Sequence, residues 1–119
     1  MDFDNNRPIY IQLLEDFKIK ISTGDWQAGS KIDSVRKLAS DYKVNPNTIQ
    51  RALADLEREG LCESQRNIGR FVTEDVKRIK SLSNKAFINF ADDFISGMES
   101  LNINKDNALR DLEDYWEEK

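Results

Sequence analysis

The sequence predicts a mainly α chain carrying a small β wing, and three observations predict it. Within residues 31–72, Ser34 and the Asn45-Pro46 pair are helix-start signals separated by one short apolar stretch, and Gly60 is a helix stop. Two short strand-like runs, Leu61–Ser64 and Arg70–Thr73, then flank Gln65-Arg66-Asn67-Ile68-Gly69, whose Asn and Gly tolerate positive φ. From Glu74 onward, aromatic and aliphatic residues recur every three or four positions. Together these describe a winged helix-turn-helix over residues 1–73 and a helical dimerisation tail over 74–119.

The first helix is expected to start with Pro8 in its opening turn and to run to about Thr23, where Gly24 stops it. Tyr10, Leu13, Leu14, Phe17 and Ile21 then form one inward stripe. Gly24-Asp25-Trp26-Gln27-Ala28-Gly29 is a turn-rich bridge, with Trp26 expected against the core. Ser34 caps a second helix through Tyr42, with Val35, Leu38 and Ala39 inward and Arg36 and Lys37 pointing elsewhere. After a turn at Lys43 and Val44, Asn45 offers a side-chain oxygen to free amides and Pro46 brings a preset φ. Ile49, Ala52, Leu53 and Leu56 are the buried stripe of this third helix. That spacing puts Asn47, Thr48, Gln50 and Arg51 near its outward amino-terminal end. Asn and Gln bond adenine bidentately and Arg bonds guanine or phosphate, so these are side chains that a groove-reading helix uses. A solvated polar face is the plainer alternative. Arg66 at the wing tip and Arg70 at its return are placed to touch phosphates or enter a minor groove, against the alternative of loop solubility.

Charge agrees once it is divided along the chain. The formal net charge is −4, but residues 1–30 carry −2, residues 31–72 carry +2 and residues 73–119 carry −4. The basic excess sits in the proposed winged helix. Acidic flanks turned away from DNA cost little where screening acts over about 8 Å. With one cysteine, Cys62, and no histidine, an internal disulfide is excluded and no zinc or haem ligand set exists. No cofactor or metal is expected. No apolar run approaches the roughly 20 residues of a membrane span, and the start MDFDNNRP is unlike a signal peptide, so a cytoplasmic protein is expected. An enzyme is disfavoured: no Ser or Lys has an activating partner, and Asp92-Asp93 and Glu117-Glu118 occupy adjacent helical positions that point apart. A winged helix serving as a protein-interaction module would explain the acidity, but leaves Asn47, Gln50, Arg51 and Arg66 without a reason.

Residues 8–72 resemble the amino-terminal domain of the GntR family of bacterial transcription regulators. The family pattern of Leu-Pro-Ser-x-Arg, Val-(Asn/Ser)-x-x-Thr, Ala-Leu-x-x-Leu-x-x-x-Gly and Gly-x-Gly-x-Phe-Val is met by four segments here. These are Ile32-Asp33-Ser34-Val35-Arg36, Val44-Asn45-Pro46-Asn47-Thr48, Ala52-Leu53 through Leu56 to Gly60, and Gly69-Arg70-Phe71-Val72. The Pro8-Ile9-Tyr10-Ile11-Gln12 start and the Gly24-x-Trp26-x-x-Gly29 bridge belong to the same pattern. The resemblance implies that Arg36 holds phosphate or a base edge, that Asn47, Thr48, Gln50 and Arg51 lie in the groove, and that Arg66 and Asn67 work from the wing. With the two helix starts and the wing return, the candidate DNA-binding set is Ser34, Arg36, Asn45, Pro46, Asn47, Thr48, Gln50, Arg51, Arg66, Asn67, Gly69 and Arg70. Two positions depart from the pattern. Asp33 replaces the usual Pro and places a carboxylate near Arg36, and Asn67-Ile68-Gly69 replaces the first wing Gly.

The tail carries Ile79, Leu82, Ala86, Phe90, Phe94 and Met98 on one stripe, widened by Phe87, Ala91 and Ile95, with Gly97 weakening the helix end. A second short helix starts near Asn104, with Leu109, Leu112 and Trp116 inward. Two such helices cannot enclose a separate ligand-binding core, so the stripe is expected to pack against a second copy of the chain. The expected dimerisation set is Leu82, Ala86, Phe87, Phe90, Phe94, Met98, Leu109, Leu112 and Trp116. The Phe90, Phe94, Tyr115 and Trp116 cluster leaves open a small apolar cavity for an unidentified small-molecule effector, with core packing the favoured alternative. A short two-helix tail is similar to the YtrA-like branch of the family, which implies a transporter-type operon and the protein's own promoter as targets; the two-fold symmetry of a homodimeric repressor makes the expected operator an imperfect palindrome of double-stranded DNA.

Overall fold

The structure, a computed structural model, describes residues Met1–Lys119. Its elements in chain order are α1 (Ile9–Thr23), α2 (Val35–Tyr42), α3 (Pro46–Arg58), β1 (Cys62–Gln65), β2 (Gly69–Val72), α4 (Val76–Ser100) and α5 (Lys105–Glu118). Pro8 stands at the N-cap of α1, one position before the expected first turn, and Gly24 ends that helix in the left-handed region at φ 82°. The inward stripe of Leu13, Phe17 and Ile21 is buried as expected, whereas Tyr10 and Leu14 are only half-buried. A polar residue joins the stripe. Gln12 is buried because its side-chain oxygen accepts from the Asp4 amide at 2.8 Å while its nitrogen donates to the carbonyls of Asp4 and Arg7 at 2.7 and 2.9 Å. Fully bonded, the amide costs little to bury and closes the amino-terminal segment over α1.

Phe17 is the centre of the core. Its ring has no exposure, stacks on Trp26 at a centroid distance of 5.0 Å and meets the edge of Tyr42 at 5.7 Å. Trp26 is half-buried in this contact, and the Tyr42 hydroxyl donates to Asp16 at 2.5 Å. Leu38 and Ala39 of α2 and Ile49, Ala52, Leu53 and Leu56 of α3 close on the same centre, joined from below the wing by Ile32, Leu61, Cys62 and Val72. The wing is an antiparallel pair in which Cys62 faces Val72 and Gln65 faces Gly69. Each strand sits one position from its expected place, since the Leu61 amide is taken by the α3 carbonyl of Leu56 at 3.1 Å and the turn tightens to Arg66–Ile68. Asn67 at φ 66° makes that turn, where the family pattern has glycine. A third backbone run reinforces the pair: Ile32 donates to Arg70 at 2.9 Å and Val72 donates to Ser30 at 2.9 Å.

The chain divides into two compact units, Met1–Ser83 and Asn84–Lys119, so the division lies inside α4 and not at the expected boundary between Thr73 and Glu74. Ile79 and Leu82 pack on the winged-helix core, and the Arg78 guanidinium donates to the Gly60 carbonyl at 3.1 Å, which assigns the first turns of α4 to the first unit. The helix starts at Val76 because Asp75 caps it, accepting from the Arg78 amide at 3.2 Å. In the second unit, α4 runs past Gly97 to Ser100 and ends at Asn102, which takes φ 57°. Asn104 then caps α5 by accepting from the Asn107 amide at 2.9 Å. Only Ala108 is buried in this unit. Leu109 and Trp116, expected inward, are 50% and 73% exposed, and Phe87 and Phe90 are 70% and 75% exposed. Two helices alone cannot cover apolar stripes this wide, so most of them remain exposed in the single chain. No helix is long and apolar enough to cross a membrane.

Replacing Phe17 by Ala removes the ring that α1, the Trp26 bridge and α2 share, and should destabilise the first unit by about 3 to 5 kcal/mol. Urea unfolding followed by Trp fluorescence checks this; a loss below about 1 kcal/mol would place the centre of the core elsewhere.

Candidate nucleic-acid interface

The turn between α2 and α3 is short because Lys43 adopts the left-handed conformation, φ 57° and ψ 48°, and Val44 returns its amide to the Ala39 carbonyl at 3.0 Å. Asn45 then caps α3 by accepting from the Asn47 amide at 2.7 Å, with Pro46 in the first helical position. With Ile49, Ala52, Leu53 and Leu56 buried, the 3.6-residue period leaves Asn47, Gln50 and Arg51 exposed and Thr48 half-buried. Ser34 caps α2 in the same manner, accepting from the Lys37 amide at 3.1 Å. Ser34, Asn45 and Pro46 are therefore first of all the residues that set the two helix starts. Their geometry presents the amino end of α3 outward, with the Asn47 and Thr48 amides already held by Asn45 at 2.7 and 3.0 Å.

Asp33 does not engage Arg36 as expected. It lies 3.8 Å from Lys37, four residues on, and Asp41 approaches the same ammonium at 2.9 Å. Arg36, three positions from Asp33, is exposed and forms no ion pair. The hydrogen bond that Lys37 donates to Asp41, followed by the charge of Asp41 and that of Asp33, raises the Lys37 pKa.

Glu57, near the carboxyl end of α3, attaches the wing. It accepts from the Ser64 hydroxyl of β1 at 2.6 Å and faces Arg70 Nε of β2 at 3.4 Å. The Arg70 Nε–H is buried without a hydrogen-bond acceptor, so this contact is an ion pair of poor alignment. Arg70 thus points back to α3, while Arg66, Asn67 and Gly69 stay exposed at the tip. Between the wing and the start of α2 lies an open groove of about 740 Å³, bordered by Lys31, Asp33, Ser34, Gln65, Arg66 and Asn67 among others. Beneath it Cys62 is buried, and burial, followed by the charge of Glu57, pushes its thiol up to about 11. It stays protonated at neutral pH and is a packing residue, not a nucleophile.

The acidic residues of this region are mostly neutralised inside it. Asp33 and Asp41 pair with Lys37, Asp55 with Arg58, Glu57 with Arg70, and Glu59 with Lys18. Lys31, Arg36, Lys43, Arg51 and Arg66 form no ion pair. The amino-terminal half of α3 contains no acid before Asp55. A face of unpaired cations and amide side chains results, although the whole chain is acidic. Lys31 lines the groove beside the wing tip, and neither it nor Lys43 was singled out from the sequence, although neither has an acid three or four positions away. Arg51 differs from the rest: its guanidinium lies over the Tyr10 ring of α1, 3.6 Å from the centroid.

A tight turn, an exposed amino-terminal end on the second helix and an attached basic hairpin define a winged helix-turn-helix protein of the regulator type. Residues 9–72 match the bacterial regulatory proteins of the gntR family, and the chain belongs to that family. It is 31% identical to the uncharacterized HTH-type transcriptional regulator YhcF of Bacillus subtilis over 97% of this chain and 95% of that protein. Over 65% of this chain and 59% of the relative, it is 38% identical to the HTH-type transcriptional repressor YtrA of the same organism. Its relatives are transcription regulators, not enzymes. Among solved structures, a GntR family transcriptional regulator from Listeria monocytogenes superposes with a TM-score of 0.86 at 40% identity, covering 94% of this chain and 98% of that one, tail included. The DNA-binding domain of AraR in complex with operator ORR3 matches 61% of this chain and 88% of its own, with a TM-score of 0.55 and 29% identity.

Because Glu57 makes polar contacts from α3 to both wing strands, Glu57→Ala should lower stability by about 1 to 2 kcal/mol by leaving Arg70 unpaired. Amide hydrogen exchange should show the loss concentrated in residues 62–72; uniform protection across the wing would mean that backbone pairing alone holds it.

Proposed function

We propose that the chain is a homodimeric, sequence-specific DNA-binding repressor that reads an imperfect palindrome. The observation that carries the reading is the outward amino end of α3, where Asn47, Thr48 and Gln50 stand beside cations without internal partners. Asn47 and Gln50 are the base readers, through bidentate bonds to adenine edges in the major groove. Arg36, Arg66 and Arg51 hold phosphates, and Asn67 and Gly69 let the wing tip approach the backbone or minor groove. Arg70 contributes by orienting the wing through Glu57. That the related AraR domain is known in complex with an operator supports DNA as the partner.

The dimer rests on the second unit. Two helices with Ala108 as their sole buried residue lack a core of their own, and most helical stability comes from packing an apolar face. Phe87, Phe90, Leu109 and Trp116, with Ala86, Phe94, Met98 and Leu112 along the same stripes, supply the missing core when paired with a second copy, whereas Leu82, expected in this set, packs on the winged-helix core instead. A two-fold dimer entering successive major grooves sets its reading helices about 34 to 36 Å apart. By the resemblance of the short tail, the targets we propose are a transporter-type operon and the protein's own promoter, and a small-molecule effector would act by changing the angle between the two heads.

Binding to tiled duplex fragments of the protein's own gene neighbourhood, against competitor DNA at two salt concentrations, tests the function. One fragment retained at the higher salt is the expected result; uniform binding erased by salt would replace the reading with a protein-interaction module. On the retained fragment, Arg66→Ala should weaken all DNA alike and flatten the salt dependence by about one unit, whereas Gln50→Ala should relax choice at one base position at a cost of about 1 to 3 kcal/mol. Separately, Phe90→Asp should convert the dimer to monomer in analytical ultracentrifugation and weaken operator binding. A dimer unaffected by the charge would move the interface off α4.

A further inference from the structure

Tyr10 lies outside every role assigned so far. From the sequence it belongs to the inward stripe of α1, yet it is only half-buried, and the Arg51 guanidinium sits 3.6 Å above its ring. Arg51 has no carboxylate partner, so the ring is its one specific contact with the rest of the protein. Cation–π stacking holds the plane of a guanidinium and leaves its N–H edge free, since the donors lie in that plane.

The geometry points to Tyr10 as a positioning residue that sets Arg51 as a phosphate clamp at the flank of the reading helix, an inference that rests on the DNA-binding reading above. Arg51 is one turn beyond Asn47 on α3, but its head is drawn sideways to α1, away from the line that Asn47 and Gln50 occupy. A group held at the edge of α3 meets the sugar–phosphate strand bordering the groove before it meets base edges on the groove floor. The planar fork suits a phosphate bidentately, and the ring lowers the entropy lost when the bond forms. The α1 helix thereby contributes to the interface without touching DNA itself.

The test uses the full chain, the fragment retained in the tiling experiment and an unrelated duplex of equal length. Arg51→Ala should weaken both duplexes by about tenfold and flatten the salt dependence by about one phosphate. Tyr10→Leu should weaken both by about two- to fivefold, while Tyr10→Phe, which keeps the ring, stays within about twofold of wild type. In the Arg51→Ala background, Tyr10→Leu should bring no further loss. Three results would overturn the inference: a loss with Arg51→Ala confined to one base position, an equal loss with Tyr10→Phe and Tyr10→Leu, or additive losses in the double variant. Failure of the wild-type chain to retain any duplex would instead remove the DNA-binding reading, and this inference with it.

Discussion

The position of the reading helix depends on how one ring is surrounded. Phe17 brings the bridge to α1 through Trp26 and α2 to α1 through Tyr42, and Ile49, Ala52, Leu53 and Leu56 of α3 close on the same core. Those four α3 residues are spaced so that burying them fixes the rotation of the helix about its own axis, and rotation decides which side chains face out. Aromatic packing of this kind tolerates little displacement, because side chains in a close-packed interior cannot shift singly. The outward set of α3 is thus a consequence of what lies beneath it.

Charge is organised by the same economy of contacts. The protein is acidic overall, yet its carboxylates near α3 are largely engaged with neighbouring cations, leaving Lys31, Arg36, Lys43 and Arg66 to determine the local field. A polyanion senses the local face and not the formal total once separation exceeds about 8 Å at physiological salt. Glu57 is central here, since it removes Arg70 from that field while joining the wing to α3.

What the sequence discloses and what it withholds divide along a physical line. The stripe of α3, the caps at Ser34, Asn45 and Asn104, and the stop at Gly24 were readable because each depends on residues within one or two turns. Gln12 buried under the amino-terminal segment, Arg70 turned to Glu57, Arg51 laid on Tyr10 and Arg78 reaching Gly60 were not, because each joins residues that periodicity does not relate. Leu109 and Trp116, expected on the inner face of α5, face solvent in the single chain. Periodicity reports that a face seeks burial and is silent about what buries it.

Arg78 reaching Gly60 bears on how such chains exchange parts. Gly60 takes φ 75° just past the end of α3, and the guanidinium from α4 occupies the space where a side chain on that glycine would stand. The reading helix is therefore finished by a residue that follows the wing in the chain. A graft joining this head to a foreign tail after Val72 would discard that cap together with Ile79 and Leu82, while a junction after Ser83 would carry them along. The portable piece is therefore the winged helix plus two turns of the helix that leaves it.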